Sequence, residues 1–311
     1  MSSEAQASAP GRLVLFGEHA VNLGQPGVAL AVDFRVKCTA QLSSRFTVNG
    51  EDLEQAKHPN VRGAVIQGWT DMDRPIGLTL DSAIPPELGL CNESATTVAC
   101  LGAISMLHDH LIFEQVGKGA FEARRDIDQG CTPLDTSCIT HGSSIFLDSQ
   151  ERDNLLWSID NGQKKWYLHD VEIPEMNLVL GFSSVPPQVD MRTKIMRFHE
   201  RNSFARDIVK DIGKVTREGY EALMKKDLVL VGEIMNKNNR LLVNLGASTP
   251  ALEKMVMAAA RHSYGVKITG TNGNCIVALA RNPEEVIKAI ESAGGKAFII
   301  QLANEGVRPE D

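Results

Sequence analysis

The hydrophobic positions of the chain change period several times, and each change marks an element. Leu13 to Phe16 is a short apolar run and Gly27 to Val36 an apolar, partly alternating one. Joined through Gly24, Pro26 and Gly27, the two predict a hairpin-like pair of β-strands. From about Thr97 to His108 the apolar run, rich in Ala and Leu, is too long for a strand and predicts a buried helix. Pro85-Pro86 and Gly89 precede it, so a loop feeds that helix N-terminus. Gly130 to Pro133 breaks the chain after a charged segment, Glu122 to Asp128, and strand-like character resumes over Ile139 to Leu147. The chain turns polar between Asp148 and Lys165, and Asn177 to Phe182 opens a new apolar strand. This places a boundary near residue 172, with one domain over 1–172 and a second over 173–311. The second half alternates predicted helices (Thr193 to Met224, Leu228 to Leu242, Pro250 to Arg261, Pro283 to Ala293) with strands (Val266 to Thr269, Cys275 to Ala280, Ala297 to Leu302). Helices against an antiparallel sheet give an α+β class.

Length supports the division, since 311 residues exceed the usual size of one hydrophobic core. Hydrophobic residues at 43% and charged residues at 23% exclude a disordered chain or a coiled coil. A formal net charge of −7 gives no electrostatic footprint for nucleic acid or an anionic membrane, although a local basic patch can still bind a phosphorylated small molecule. The six cysteines lack CxxC spacing and read as free thiols. His58, His108, His110, His141, His169, His199 and His262 show no metal-like grouping. No run approaches the roughly 18 apolar residues of a membrane span, and the N-terminus lacks a secretory pattern, so the expected location is the cytoplasm.

Four ordered motifs carry the chemistry. The first is PGRLVLFGEHAV at Pro10 to Val21, followed by Leu23-Gly24-Gln25-Pro26. The second is PPELGLCNESA at Pro85 to Ala95, a loop running into a helix. The third is Gly130-Cys131-Thr132-Pro133-Leu134-Asp135-Thr136, and the fourth is the turn KITGTNGNC at Lys267 to Cys275. Together, from Ser8 to Val307, they resemble the signatures of the GHMP kinases in the form carried by archaeal mevalonate kinases. That resemblance implies a two-domain fold with a ribosomal S5 domain 2-like N-terminal domain, a ferredoxin-like C-terminal domain and the site in the cleft between them. It also implies ATP-dependent phosphorylation of the 5-hydroxyl of mevalonate, with Mg²⁺, and a homodimer, since similar enzymes often pair.

By the same resemblance, Asp135 is the base or orienting carboxylate and Arg12 the charge stabiliser. Arg12 stands where the family has a lysine, and as a permanent cation it can clamp an anion but hardly act as a base. Glu18, His19, Thr136, Thr193, Thr269 and Gly270 fall at the substrate. Gly89, Leu90, Asn92, Glu93, Ser94, Thr271 and Gly273 fall at the nucleotide. Within the phosphate loop Glu87 and Cys91 replace glycines, and Asn92 and Glu93 replace the two serines. Glu93, a hard oxygen donor, is then a candidate Mg²⁺ ligand. The family's second metal acid, about eleven residues before Asp135, falls on Arg124 or Arg125, which leaves Glu122 or Asp126 to substitute from a shifted helix face. Two other readings stay open on these residues: a non-catalytic homologue that binds an isoprenoid precursor or a protein partner, and an enzyme acting on another, phosphorylated substrate.

Overall fold

The computed structural model describes residues 3–183, 190–270 and 273–310. Its frame is one long hairpin. β1 (Glu4–Phe16) pairs antiparallel with β2 (Gly27–Leu42), setting Arg12 opposite Ala31, with irregularities at Pro10/Gly11 and Val14/Phe16. β3 (Thr47–Val48), β4 (Glu51–Asp52) and β5 (Ile76–Ser82) extend the sheet along the Val36–Leu42 half of β2, β3 joining β5 in parallel. β6 (Ser144–Asp148) pairs with Gly27–Leu30, and β7 (Leu155–Asp160) and β8 (Lys165–Asp170) follow it. A second, four-stranded antiparallel sheet has the order β10-β11-β9-β12, from β9 (Leu178–Phe182), β10 (Ser263–Thr269), β11 (Cys275–Ala280) and β12 (Lys296–Ile300). The chain then returns to the first sheet, where β13 (Arg308–Pro309) pairs with β1.

α1 (Pro59–Gly68), α2 (Asn92–Leu107), α3 (Phe113–Ile127) and α4 (Leu134–His141) belong to the first half. α2 packs on β1 and β2 with α1 and α3 against its flanks, so it is apolar nearly all round, as a central helix must be. Val98, Leu101, Ile104 and Leu107 are all buried there, each stabilising the fold by roughly 1.5–3 kcal/mol relative to exposure. In the second half, α5 (Met191–Arg201), α6 (Ser203–Met224), α7 (Leu228–Asn244), α8 (Pro250–Ala259) and α9 (Pro283–Ser292) begin at side-chain caps on Asp190, Asn202, Asp227, Thr249 and Asn282. α7 lies directly on β10. A Cβ at Gly232 would fall 2.4 Å from the Tyr264 carbonyl carbon, and one at Gly265 2.2 Å from the Gly232 oxygen, so only glycines allow the contact.

The α+β class and the opening hairpin follow the sequence pattern, and β9, α7, β11 and α9 fall within a few residues of their expected limits. Two expectations change. The strand expected over Ile139 to Leu147 is a helix as far as His141, because Leu134, Ser137 and Cys138 turn a buried face inward, and Gly142, at φ 86°, ends it before β6. The single helix expected from Thr193 to Met224 breaks at Asn202, whose side-chain oxygen accepts from the Phe204 N–H and starts α6. None of the described helices is long and apolar enough to cross a membrane.

Candidate active site

The two sheets meet over a cavity of about 350 Å³, and the ends of several elements line it. β1 supplies Arg12, the turn after it Glu18 and His19, the start of α2 Cys91 to Ser94, α3 Arg124, α4 Asp135 and Thr136, and α5 Arg192. The loop before α2 winds through Gly89 at φ 64° and Cys91 at φ 63°, and the first residues of α2 line the cavity. The first N–H groups of a helix have no acceptor inside it, and with the helix dipole they favour an anion. The loop is held from both sides: the Arg12 N–H donates to the Leu90 oxygen at 3.0 Å, and Asn274 Nδ2 donates to the Glu87 oxygen at 2.7 Å. Gly89 and Gly270 face each other across the mouth, where a Cβ on the former would lie 3.7 Å from the Gly270 Cα.

At the floor, Arg12 donates through Nε to Asp135 Oδ1 at 2.6 Å and through Nη2 to Oδ2 at 2.9 Å. Arg12 is 4% exposed and Asp135 31%. Burial pushes the Asp135 carboxyl up, but the Arg12 charge and hydrogen bonds outweigh it and hold the group below the usual carboxylate range. Burial likewise opposes the charge on Arg12, and Asp135 more than restores it. Arg12 Nη1 is buried with no hydrogen-bond partner among the described residues, as are Glu18 Oε2 and His19 Nδ1 beside it. Glu18 pairs with Lys267 of β10, both buried, and this pair and the Thr269 Oγ1 bond to the Val14 oxygen at 2.9 Å fasten the two sheets together beneath the cavity. Burial, then the Lys267 charge, lowers the His19 pKa to about 4, so the ring is neutral at ordinary pH.

The structure brings Arg12, Glu18, His19, Gly89, Leu90, Asn92, Glu93, Ser94, Asp135, Thr136 and Gly270 onto one cavity. Four expected residues lie elsewhere. Glu122 does not line the cavity and pairs instead with Arg125 at 2.5 Å. The Thr193 hydroxyl turns back to Asp190 Oδ2 at 2.5 Å in the first turn of α5, Thr269 is buried below the cavity, and Gly273 packs on Met191. Thr271 lies outside the described residues, as does the segment Val185 to Val189. Asn92 does not cap α2; its side-chain oxygen accepts from Ser82 Oγ at 2.6 Å, and Cys91 holds the cap position.

The chain is similar to known proteins. The family profile "GHMP kinases C terminal" matches residues 220–299. The mevalonate kinase of Methanothermobacter thermautotrophicus is 30% identical over 282 residues, covering 87% of this chain and 88% of that protein. The chain belongs to the mevalonate kinase family of GHMP kinases. The mevalonate kinase of Pyrococcus abyssi, at 27% identity, covers 98% of this chain and 97% of its own. The solved Methanococcus jannaschii mevalonate kinase superposes with a TM-score of 0.76 at 19% identity, over 97% of this chain and 99% of that one, a likeness of fold. Membership makes the chain a small-molecule kinase, and such kinases draw their phosphoryl group from ATP.

The lining of the cavity is charged. Asp128 accepts from Arg192 Nη2 at 3.0 Å and from the Gly130 N–H at 3.0 Å, a pair the sequence reading did not assign. Its members are 64 residues apart, in segments that read as charged or polar only. Glu93 accepts from Arg124 Nη2 at 2.7 Å. Every carboxylate that lines the cavity, Glu18, Glu93, Asp128 and Asp135, is thus already paired with a cation. No three His, Cys, Asp or Glu side chains gather as a metal site among the described residues. The donor set does not fit a Mg²⁺ ion held by this protein's own carboxylates.

Proposed function

We propose that this chain transfers the γ-phosphoryl group of ATP to the 5-hydroxyl of mevalonate. The observation that carries this reading is the Arg12–Asp135 fork at the floor of the cavity, with Arg12 Nη1 left without a partner, directly beneath the N-terminus of α2. Phosphoryl transfer needs little covalent chemistry from a protein; it needs an oriented acceptor, a donor held in line and cations where charge gathers. The first N–H groups of α2 hold the donor's phosphates, as helix N-termini do. Asp135 accepts a hydrogen bond from the acceptor hydroxyl and takes its proton as the new P–O bond forms. A carboxylate kept below its usual pKa is a weak base, so it works chiefly by orientation, with the proton moving late. Arg12 keeps that carboxylate ionised and turns Nη1 toward the oxygens that gather charge. Neutral His19 and the second oxygen of Glu18 offer unpartnered polar atoms for the acceptor's remaining polar groups.

As such an enzyme it works on diffusible substrates in the cytoplasm, and the proposal includes a homodimer, which light scattering of the purified protein tests. Transfer is tested by phosphorus NMR of the protein with Mg-ATP, with and without mevalonate. The expected result is a new phosphomonoester signal together with ADP, dependent on mevalonate. An unchanged ATP spectrum refutes the kinase, and mevalonate binding without transfer would make the chain a binding homologue.

A further inference from the structure

The cavity balances its charges without a metal. Four carboxylates on or beneath it face four cations, Arg12, Arg124, Arg192 and Lys267, each acid within hydrogen-bonding reach of one of them. A divalent ion that takes one of these carboxylates competes with the guanidinium or ammonium group already bonded to it. An anion meets the opposite situation. The Glu93–Arg124 pair joins a side chain 66% exposed, Glu93, to one 12% exposed, Arg124. Solvent makes such a pair weak. Arg124 does not depend on Glu93 for its place, since its Nη1 also donates to Asn60 Oδ1 of α1. Glu93 can therefore swing away while Arg124 stays. A phosphate at the start of α2 then meets a guanidinium, the α2 N–H groups and, deeper, the buried unpartnered Nη1 of Arg12.

We infer that Arg124 is the resident cation for the donor's phosphates: guanidinium groups, not a metal ion held by protein carboxylates, neutralise them, and Glu93 is the counter-ion that Arg124 gives up when the donor binds. The inference deepens the kinase reading and rests on it for the identity of the donor. Glu93, expected from the sequence to ligate Mg²⁺, becomes an occupant that the polyphosphate displaces. The guanidinium fork matches phosphate oxygens better than a lysine would.

Two measurements on the whole protein test this. Electron paramagnetic resonance of Mn²⁺ mixed with nucleotide-free protein is expected to show only the free ion, because each carboxylate of the cavity is already paired with a cation. Calorimetry with inorganic tripolyphosphate in EDTA is expected to show binding to the wild type, weakened roughly 10–100-fold in Arg124→Ala by the loss of one charge-assisted bond. Arg124→Lys, which keeps the charge and loses the fork, should recover part of that affinity, and it carries the test if the alanine variant proves unfolded by circular dichroism. Stoichiometric Mn²⁺ on the wild type that disappears in Glu93→Gln would overturn the inference. So would tripolyphosphate binding indifferent to both Arg124 variants, or no tripolyphosphate binding at all. Tripolyphosphate binding through Arg124 without phosphoryl transfer to mevalonate would sink the kinase reading and leave the resident cation standing.

Discussion

Asp135→Asn separates the charge of the carboxylate from its shape. In the wild type, Arg12 is 4% exposed and places two hydrogen bonds, at 2.6 and 2.9 Å, on the two oxygens of Asp135. Asparagine keeps one oxygen for Arg12 Nε but turns an amide N–H₂ toward Nη2, so one bond is lost and a buried guanidinium loses its counter-charge. Removing one member of a fully buried pair costs about 3–5 kcal/mol. Asp135 keeps 31% of its side-chain surface, and solvent there screens the pair, so about 1–3 kcal/mol is the expected loss of stability, read from urea denaturation. The catalytic loss is a separate quantity. A carboxylate that orients the hydroxyl and accepts its proton contributes about 100- to 10,000-fold, and because that contribution belongs to the transition state, kcat should fall while KM stays nearly constant. Phosphorus NMR of the variant with Mg-ATP and mevalonate measures it. A folded Asp135→Asn enzyme that turns over within about threefold of the wild type would refute the role given to the carboxylate, whatever its stability.

Two further predictions come from the buried groups around the acceptor. In carbon-13-labelled protein the His19 ring should stay neutral to about pH 5 and titrate near 4, and a midpoint of 6 or above would contradict its burial. Because the folded-state pKa is depressed, the unfolded chain binds the extra proton. The His19 contribution is therefore complete above about pH 6.5 and is lost as pH falls toward 4, by up to about 3 kcal/mol, a slope that His19→Gln should remove. Lys267→Met, which strands Glu18 in the interior, should cost about 3–5 kcal/mol in urea denaturation, and adding Glu18→Gln should recover at least half of it; strictly additive effects would mean that the two groups do not act as a pair.

How much of this was legible in the sequence follows from how local each signal is. The Arg12–Asp135 fork spans 123 residues, yet each member sits in a short motif whose place in the fold the family resemblance supplies, so the pairing could be anticipated. The limits of α3 were not legible, although the sequence reading treats the segment as a helix face. Its buried positions, Val116, Ala120, Phe121 and Ala123, are few and small, and Gly117 and Gly119 lower its helix propensity, so the segment reads as charged rather than periodic. Without the limits of that helix, its facing could not be fixed, and Glu122 looked available. Residues two apart on a helix point about 200° from each other. Since Arg124 faces the cavity, Glu122 must point away, and Asp126, four positions beyond Glu122, shares its face. No shift of helix face can bring either acid to the donor while Arg124 holds its bond to Asn60 on α1. The exchange of an acid for Arg124 is thus not offset by a neighbour on the same helix, which favours the inference that the guanidinium in the acid's place meets the donor's charge.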